Sequence, residues 1–451
     1  MVRSRRAGRG AQGGDAPVRS RLQPVRRWAT RVLSPLAPTQ DVVNDPCILP
    51  ATLLHPVRRR TVTPSARHAA AAELLDAIAA GMPAEQALTN WARRSRFAGS
   101  GDRAAVRDLV FEALRKRRSC AARGGGSSGR ALMLGLLRTR GADPDAIFTG
   151  GRYAPAPLTE AERAAGAEPA GAAALDMPDW ILPRLRASLG EDCDAVCRLL
   201  RERADVFLRV HAGRADRAAA QEALAADGIA TEPHPLAETA LRVTSGARRL
   251  RASRPFAEGL VELQDAAAQA VCAALPAGPG TRVLDYCAGG GGKALALAAR
   301  GAAVAAFDAD PARMADLPAR AARAGTPIAV LSPQDLARRP PDDLVVADVP
   351  CSGSGAWRRQ VEAKWRLDAA GLARLQDAQR AILAEAAAHV RPDGHLAYVT
   401  CSLLAEENEA QVAAFLAAAG AGWRVAAQRR VSPLEGGDGF FLALLRRATL
   451  D

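Results

Sequence analysis

From about residue 256 to its C-terminus the chain alternates short apolar runs with helical stretches, and that alternation restricts the fold more than any other feature. Strands are expected over residues 282–286, 303–307, 328–331, 344–348 and 396–400, with helices in the gaps. Parallel neighbours need crossover helices, so this repetition predicts an α/β fold of the Rossmann-like kind, a doubly wound and mainly parallel sheet. Two later runs, 423–427 and 440–445, would complete its edge.

Upstream, the pattern changes. Residues 62–150 read as an all-α domain. Thr63-Pro64 looks like an N-cap followed by proline at the first helical position, with Leu74, Leu75 and Ile78 as its apolar stripe and Gly81 as its stop. Asp102 is expected to cap a second amphipathic helix carrying Val106, Leu109, Val110, Ala113 and Leu114. Arg115, Lys116, Arg117 and Arg118 crowd the last turn of that helix. They serve either its dipole or a phosphate backbone. Residues 151–177 are rich in Ala, Pro and Gly and read as a linker. A small α+β module follows over 178–255, with strands expected near 206–210 and 240–244 around a helix at 215–226.

The net charge of +13 suggests a polyanionic partner, but twelve Arg and three Asp within 1–61 supply most of it. That basic, Pro/Gly/Ser-containing stretch is expected to be disordered. A solvated tail, a nucleic-acid-attracting arm, or residues ahead of a natural start near Val62 all remain open. No apolar run is long enough for a membrane helix and no secretory signal is visible, so a cytoplasmic protein with reduced thiols is expected. The eight Cys form no C-x-x-C pair, and no metal site is expected. Cys193 and Cys197, four apart on a helix, read as core. Arg nearly replaces Lys throughout; only Lys116, Lys293 and Lys364 remain, and two of them fall inside motifs.

Three segments carry chemistry. The first expected strand runs into Cys287-Ala288-Gly289-Gly290-Gly291-Gly292-Lys293, a glycine turn leading into a helix. Such a turn lets backbone approach a ligand closely, yet it fits neither the Walker spacing nor the dinucleotide fingerprint. Asp308 ends the second strand, where a carboxylate suits ribose hydroxyls; a tight turn with a helix-capping Asp is the plainer alternative. Asp348-Val349-Pro350-Cys351-Ser352-Gly353-Ser354-Gly355 and Thr400-Cys401-Ser402 each follow a strand at its carboxyl end. Ligands bind at that edge of an open α/β sheet, so topology should bring both thiols to one crevice. Two thiols beside a methyl donor suit cytosine chemistry. A thiolate adding to carbon 6 makes carbon 5 nucleophilic, and after methylation a base removes the carbon-5 proton so that the thiolate can leave. Asp348 is placed to hydrogen-bond the ring and stabilise the adduct.

These motifs resemble the RsmB/NOP/Sun-type cytosine-5 RNA methyltransferases over roughly 178–447. The match includes Gly259–Asp265, Trp357-Arg358-Arg359, Lys364-Trp365, Glu406-Glu407-Asn408-Glu409 and Gly437–Phe441. The helical region, with Asp102-Arg103, is similar to the NusB-like RNA-binding domain of some members. The resemblance implies S-adenosyl-L-methionine as cofactor and RNA as partner, rRNA expected and tRNA the alternative, with no membrane and a monomeric chain. It implies Cys401 as nucleophile and Cys351 as the group assisting release. Cys287 through Lys293, Asp308, Asp348 and Asp335 would contact the cofactor, although Gln334 aligns nearly as well as Asp335. Two departures stand out: Gly289 and Gly290 replace Ala and Pro of the family turn, and His211 replaces an Asn. A non-catalytic RNA-binding or assembly factor is the competing reading; intact Cys401, Cys351 and Lys293 speak against it.

Overall fold

The protein is represented by a computed structural model that describes residues 62–448; the expectation of disorder over 1–61 lies outside the described residues. The first unit is built from α1 (Pro64–Ala79), α2 (Ala84–Arg94), α3 (Ser100–Arg115), α4 (Arg117–Gly124) and α5 (Gly129–Thr139). Thr63 accepts from the Ala66 amide to start α1, with Pro64 in the first turn. On α3, Val106, Leu109, Val110, Ala113 and Leu114 are all buried, the stripe that the 3.6-residue period dictates. Asp102 is not the cap, however. Gly99 takes that position, and Asp102 sits inside the first turn, accepting from the Gly99 amide at 3.3 Å and pairing with Arg67 at 2.7 Å. Helices α4 and α5 approach so closely that a Cβ at Gly135 would lie 1.8 Å from the Cys120 carbonyl oxygen.

The expected linker 151–177 is packed against these helices. Arg138 donates to the carbonyls of Glu162 and Ala165 at 2.7 and 2.6 Å. Buried Asp176 accepts from the amide and hydroxyl of Ser119, both at 2.8 Å. Small side chains bring this backbone flat onto the helices, and guanidinium donors satisfy its carbonyls.

The small module is an antiparallel sheet of β1 (Phe207–Val210), β2 (Ala230–Pro233), β3 (Ala240–Ser245) and β4 (Val261–Leu263), in the order β2-β3-β1-β4. Strand β4 lies past residue 255, pairing Val261 with Val210 and Leu263 with Leu208. Strand β1 is buried on both faces. Leu208 and Val210 join the module core with Leu224 and Leu241, while alternation turns Phe207 and Arg209 towards the next domain.

That domain holds β5 (Arg282–Asp285), β6 (Ala303–Ala306), β7 (Ala329–Val330), β8 (Asp342–Asp348), β9 (Val390–Thr400), β10 (Trp423–Val431) and β11 (Phe440–Arg447), ordered β10-β11-β9-β8-β5-β6-β7. Pairings from β9 through β8, β5 and β6 to β7 are parallel; β11 adds antiparallel to β9, and β10 to β11. Leu344–Ala347 and Leu396–Val399 are fully buried, as befits strands covered on both faces. The chain winds outward from β5 to β7 and then crosses back to β8. The switch point therefore falls between β5 and β8, the place where open α/β sheets bind their ligands.

Residues 357–366 fasten the helical unit to this sheet. Trp365 Nε1 donates to the Leu114 carbonyl at 2.8 Å, and Arg115 donates to the Arg358 carbonyl at 3.1 Å. Arg118 pairs with Asp179 at 2.8 Å. Arg115 and Arg118 of the basic cluster thus serve domain docking, a use neither sequence alternative contained.

Candidate active site

The glycine turn leaves β5 and enters the helix Gly292–Ala298. Gly289 and Gly291 have φ of 50° and 76°, and a Cβ on Gly291 would lie 2.2 Å from Leu317 Cδ1, so a side chain is excluded there by conformation and by space. Asp308 follows β6 and accepts from the Gly289 amide at 2.9 Å, from the Asp310 amide at 3.0 Å and from Arg313 at 3.0 Å. It pins the turn to the neighbouring strand. Below the turn, the Gly292 carbonyl accepts from Arg209 at 2.9 Å and from Gln264 at 3.2 Å. Arg320 donates to the Gly290 carbonyl and is itself held by Glu262.

At the switch point, the Lys293 ammonium is bonded to Asp348 and lies 5.3 Å from the Phe440 ring centroid. Burial alone would lower the lysine pKa; Asp348 overrides it and holds the ammonium above its ordinary range. Asp285, the last residue of β5, is fully enclosed, and neither oxygen makes a hydrogen bond of normal geometry. Burial pushes its pKa up to about 7; Asp348 adds to the rise, and Lys293 opposes it.

Cys351 and Cys401, fifty residues apart, lie with their sulfurs 3.5 Å from each other, both partly exposed. The hydrogen bond to Cys401, together with burial, holds the Cys351 thiol well above its ordinary pKa. Beneath the pair sits Glu407, completely buried. Its carboxylate accepts from the Ser352 amide at 2.8 Å, the Ser352 and Ser402 hydroxyls at 2.5 Å each, and Gln379 at 3.0 Å. The Gly355 amide donates to the Cys401 carbonyl at 2.9 Å, and the Ser354 hydroxyl accepts from the Leu403 amide at 2.7 Å. The two thiol-bearing loops are therefore one hydrogen-bonded body.

Asp335 stands apart. It is exposed, and its carboxylate accepts from the amide and hydroxyl of Ser332, capping the short helix Pro333–Arg338. Cys287 is partly exposed with its thiol pushed far up by burial, and Ala288 donates to Phe307 at 2.9 Å, tying the turn to β6. Sequence reading assigned no role to Asp285, Arg209, Arg313, Arg320 or Glu407. Of these only Glu407 carried a signal, its place in the Glu-Glu-Asn-Glu run.

Residues 272–446 match the family of 16S rRNA methyltransferases described as RsmB/F, and residues 177–248 match its ferredoxin-like domain. The Ribosomal RNA small subunit methyltransferase B of Klebsiella pneumoniae is 33% identical over 282 residues, 59% of this chain and 65% of that protein. Its counterpart from Xanthomonas campestris is 34% identical over 297 residues, 60% of this chain and 67% of that one. The chain thus spans just under two thirds of the first of these relatives. The crystal structure of PH0851 superposes with a TM-score of 0.66 over 86% of this chain and 99% of that one, at 22% identity, a likeness of fold. Among the described residues no helix is long and apolar enough to cross a membrane.

Proposed function

The chain belongs to the RsmB/F methyltransferase family, and from that premise we propose that it methylates carbon 5 of a cytosine in small-subunit ribosomal RNA, with S-adenosylmethionine as methyl donor. The observation that carries the reading is the 3.5 Å approach of Cys351 and Cys401 beside the switch point. The residues fit the donor: a glycine turn, a buried carboxylate at Asp285 without a hydrogen bond of normal geometry, and Asp308 just after the next strand lie together at the carboxyl ends of β5 and β6. These are acceptors suited to an amino group and to ribose hydroxyls. The proposed set omits Asp335, which is engaged with its own helix. When bound, S-adenosylmethionine supplies an electrophilic methyl group on a sulfonium.

The chain's own residues do the rest. Cys401 adds to carbon 6 of the cytosine and makes carbon 5 a nucleophile. Asp348, held by Lys293, accepts from the cytosine amino group and orients the ring, while the positive charge of Lys293 opposes the negative charge that addition leaves on it. Cys351, in contact with Cys401, assists the elimination that frees the methylated base. Glu407 holds both loops so that neither sulfur must be repositioned during the reaction.

The test is methyl transfer by the purified full chain to ribosomal RNA and to transfer RNA, followed by bisulfite sequencing. Conversion-resistant cytosine in small-subunit rRNA is expected. Methylation confined to transfer RNA would move the substrate, and methylation of neither would refute the reading.

A further inference from the structure

We propose that the turn between α2 and α3 is a second RNA contact, remote from the thiols, in which Phe97 stacks on an unpaired base while Arg93, Arg94, Arg96 and Arg103 face the phosphates. The inference rests on RNA being the substrate and names where else that RNA is held.

Phe97 is 70% exposed, the most exposed of the large apolar side chains among the described residues. A single exposed apolar side chain is ordinary; what sets this one apart is the charge beside it in the chain. Arg93 and Arg94 end α2, Arg96 precedes Phe97, and Arg103 lies in the first turn of α3. All four are exposed, and none has an acidic partner within 4.0 Å among the described residues. The neighbouring acids are engaged elsewhere: Glu85 with Arg107, Asp102 with Arg67, Asp108 with Arg203. Elsewhere in the same unit arginines such as Arg123, Arg130 and Arg140 are ion-paired. Four exposed arginines without an acidic partner thus lie within six residues of Phe97 in sequence, on the turn and the two helix ends that it joins.

The turn is a fixed platform. The Ser95 amide donates to Trp91 at 2.8 Å, the Ala98 amide donates to Ser95 at 2.9 Å, and both residues are buried. An exposed aromatic face on a turn that carries unpaired arginines matches a splayed base and its flanking phosphates; a duplex, with its bases stacked inside, offers the ring nothing. Helix α3 then runs about 22 Å from this turn to the segment at Arg358 and Trp365 that follows the Cys351 loop. RNA gripped at Phe97 is held at a set distance from the reacting sulfurs.

The experiment measures binding of the full chain to a labelled single-stranded RNA 16-mer of mixed sequence, and to the same RNA as a duplex, across a salt series. Substituting all four arginines by glutamine should flatten the slope of log Kd against log salt by about 2 to 3. Phe97→Ala should weaken single-strand binding about tenfold and leave the duplex nearly unchanged. Phe97→Trp should restore affinity, and its added emission should be quenched by the single strand. An unchanged slope in the arginine variant, or emission from Phe97→Trp unmoved by bound RNA, overturns the proposal. Intact wild-type methylation with unchanged variant binding overturns the patch alone. A wild type that binds no RNA at any salt overturns the substrate reading with it.

Discussion

Around the thiols the backbone is fixed from inside the protein, whereas around the glycine turn it is fixed from the rim. Glu407, with no exposure, gathers donors from both cysteine loops. The turn instead relies on Arg313 and Arg320, whose side chains are 41% and 22% exposed. A buried carboxylate with its donors in place has no low-energy alternative, because water cannot replace them. A partly solvated guanidinium can exchange one carbonyl for water at small cost. On the mechanism proposed above, the half assigned to the base is thus preorganised, and the half assigned to the cofactor stays adjustable. The substitution of Ala-Pro by Gly289-Gly290 falls in the adjustable half, where Arg313 and Arg320 stand against the positions the missing side chains would take.

This contrast can be broken from either side. The largest effect is expected at Glu407→Ala, which leaves the Ser352 amide, two hydroxyls and Gln379 without their acceptor. Stability should fall by about 3 kcal/mol and kcat by about a hundredfold, with cofactor Kd unchanged in titration calorimetry. Glu407→Gln should recover part of the stability. Arg320→Ala frees the Gly290 carbonyl and half of the Glu262 pairing. Cofactor Kd should rise about tenfold, with kcat at saturation within about twofold. Equal loss of kcat in both variants would erase the distinction.

The last test reads stability alone, through pH. Asp285 is raised from 3.8 to about 7 in the fold, so the native state keeps a proton the unfolded chain releases. Its contribution to stability is full below pH 4 and is lost as pH rises through 7, with a slope of up to about 1.4 kcal/mol per pH unit. Asp285→Asn should flatten that slope in denaturant titrations between pH 4 and 7.

What the sequence discloses and what it hides follow the range of the interaction. The glycine turn, Asp308 and the two cysteine segments are local, each a strand end followed by a few residues, and periodicity finds them. Arg209 and Arg320 bond to carbonyls of Gly292 and Gly290, and a backbone acceptor leaves no mark in a sequence. Glu407 is visible as part of an acidic run, yet its partner Ser352 is 55 residues away. Asp335 illustrates the reverse: Ser332 three residues before it is a capping pattern that the structure realises, whereas a cofactor role for this acid rests only on its place after a strand. Strand β2, Ala-Thr-Glu-Pro at an exposed edge, has no alternation to read, and β4 spans three residues.

The pairing of Cys401 with Cys351 over one pyrimidine is tested most directly by trapping. The Cys351→Ala protein, incubated with small-subunit rRNA and S-adenosylmethionine, should accumulate a denaturation-stable protein–RNA complex that mass spectrometry maps to Cys401 and that Cys401→Ala removes. A complex that survives Cys401→Ala, or full methylation by the Cys401→Ala protein, would contradict the assignment of Cys401 as the attacking sulfur.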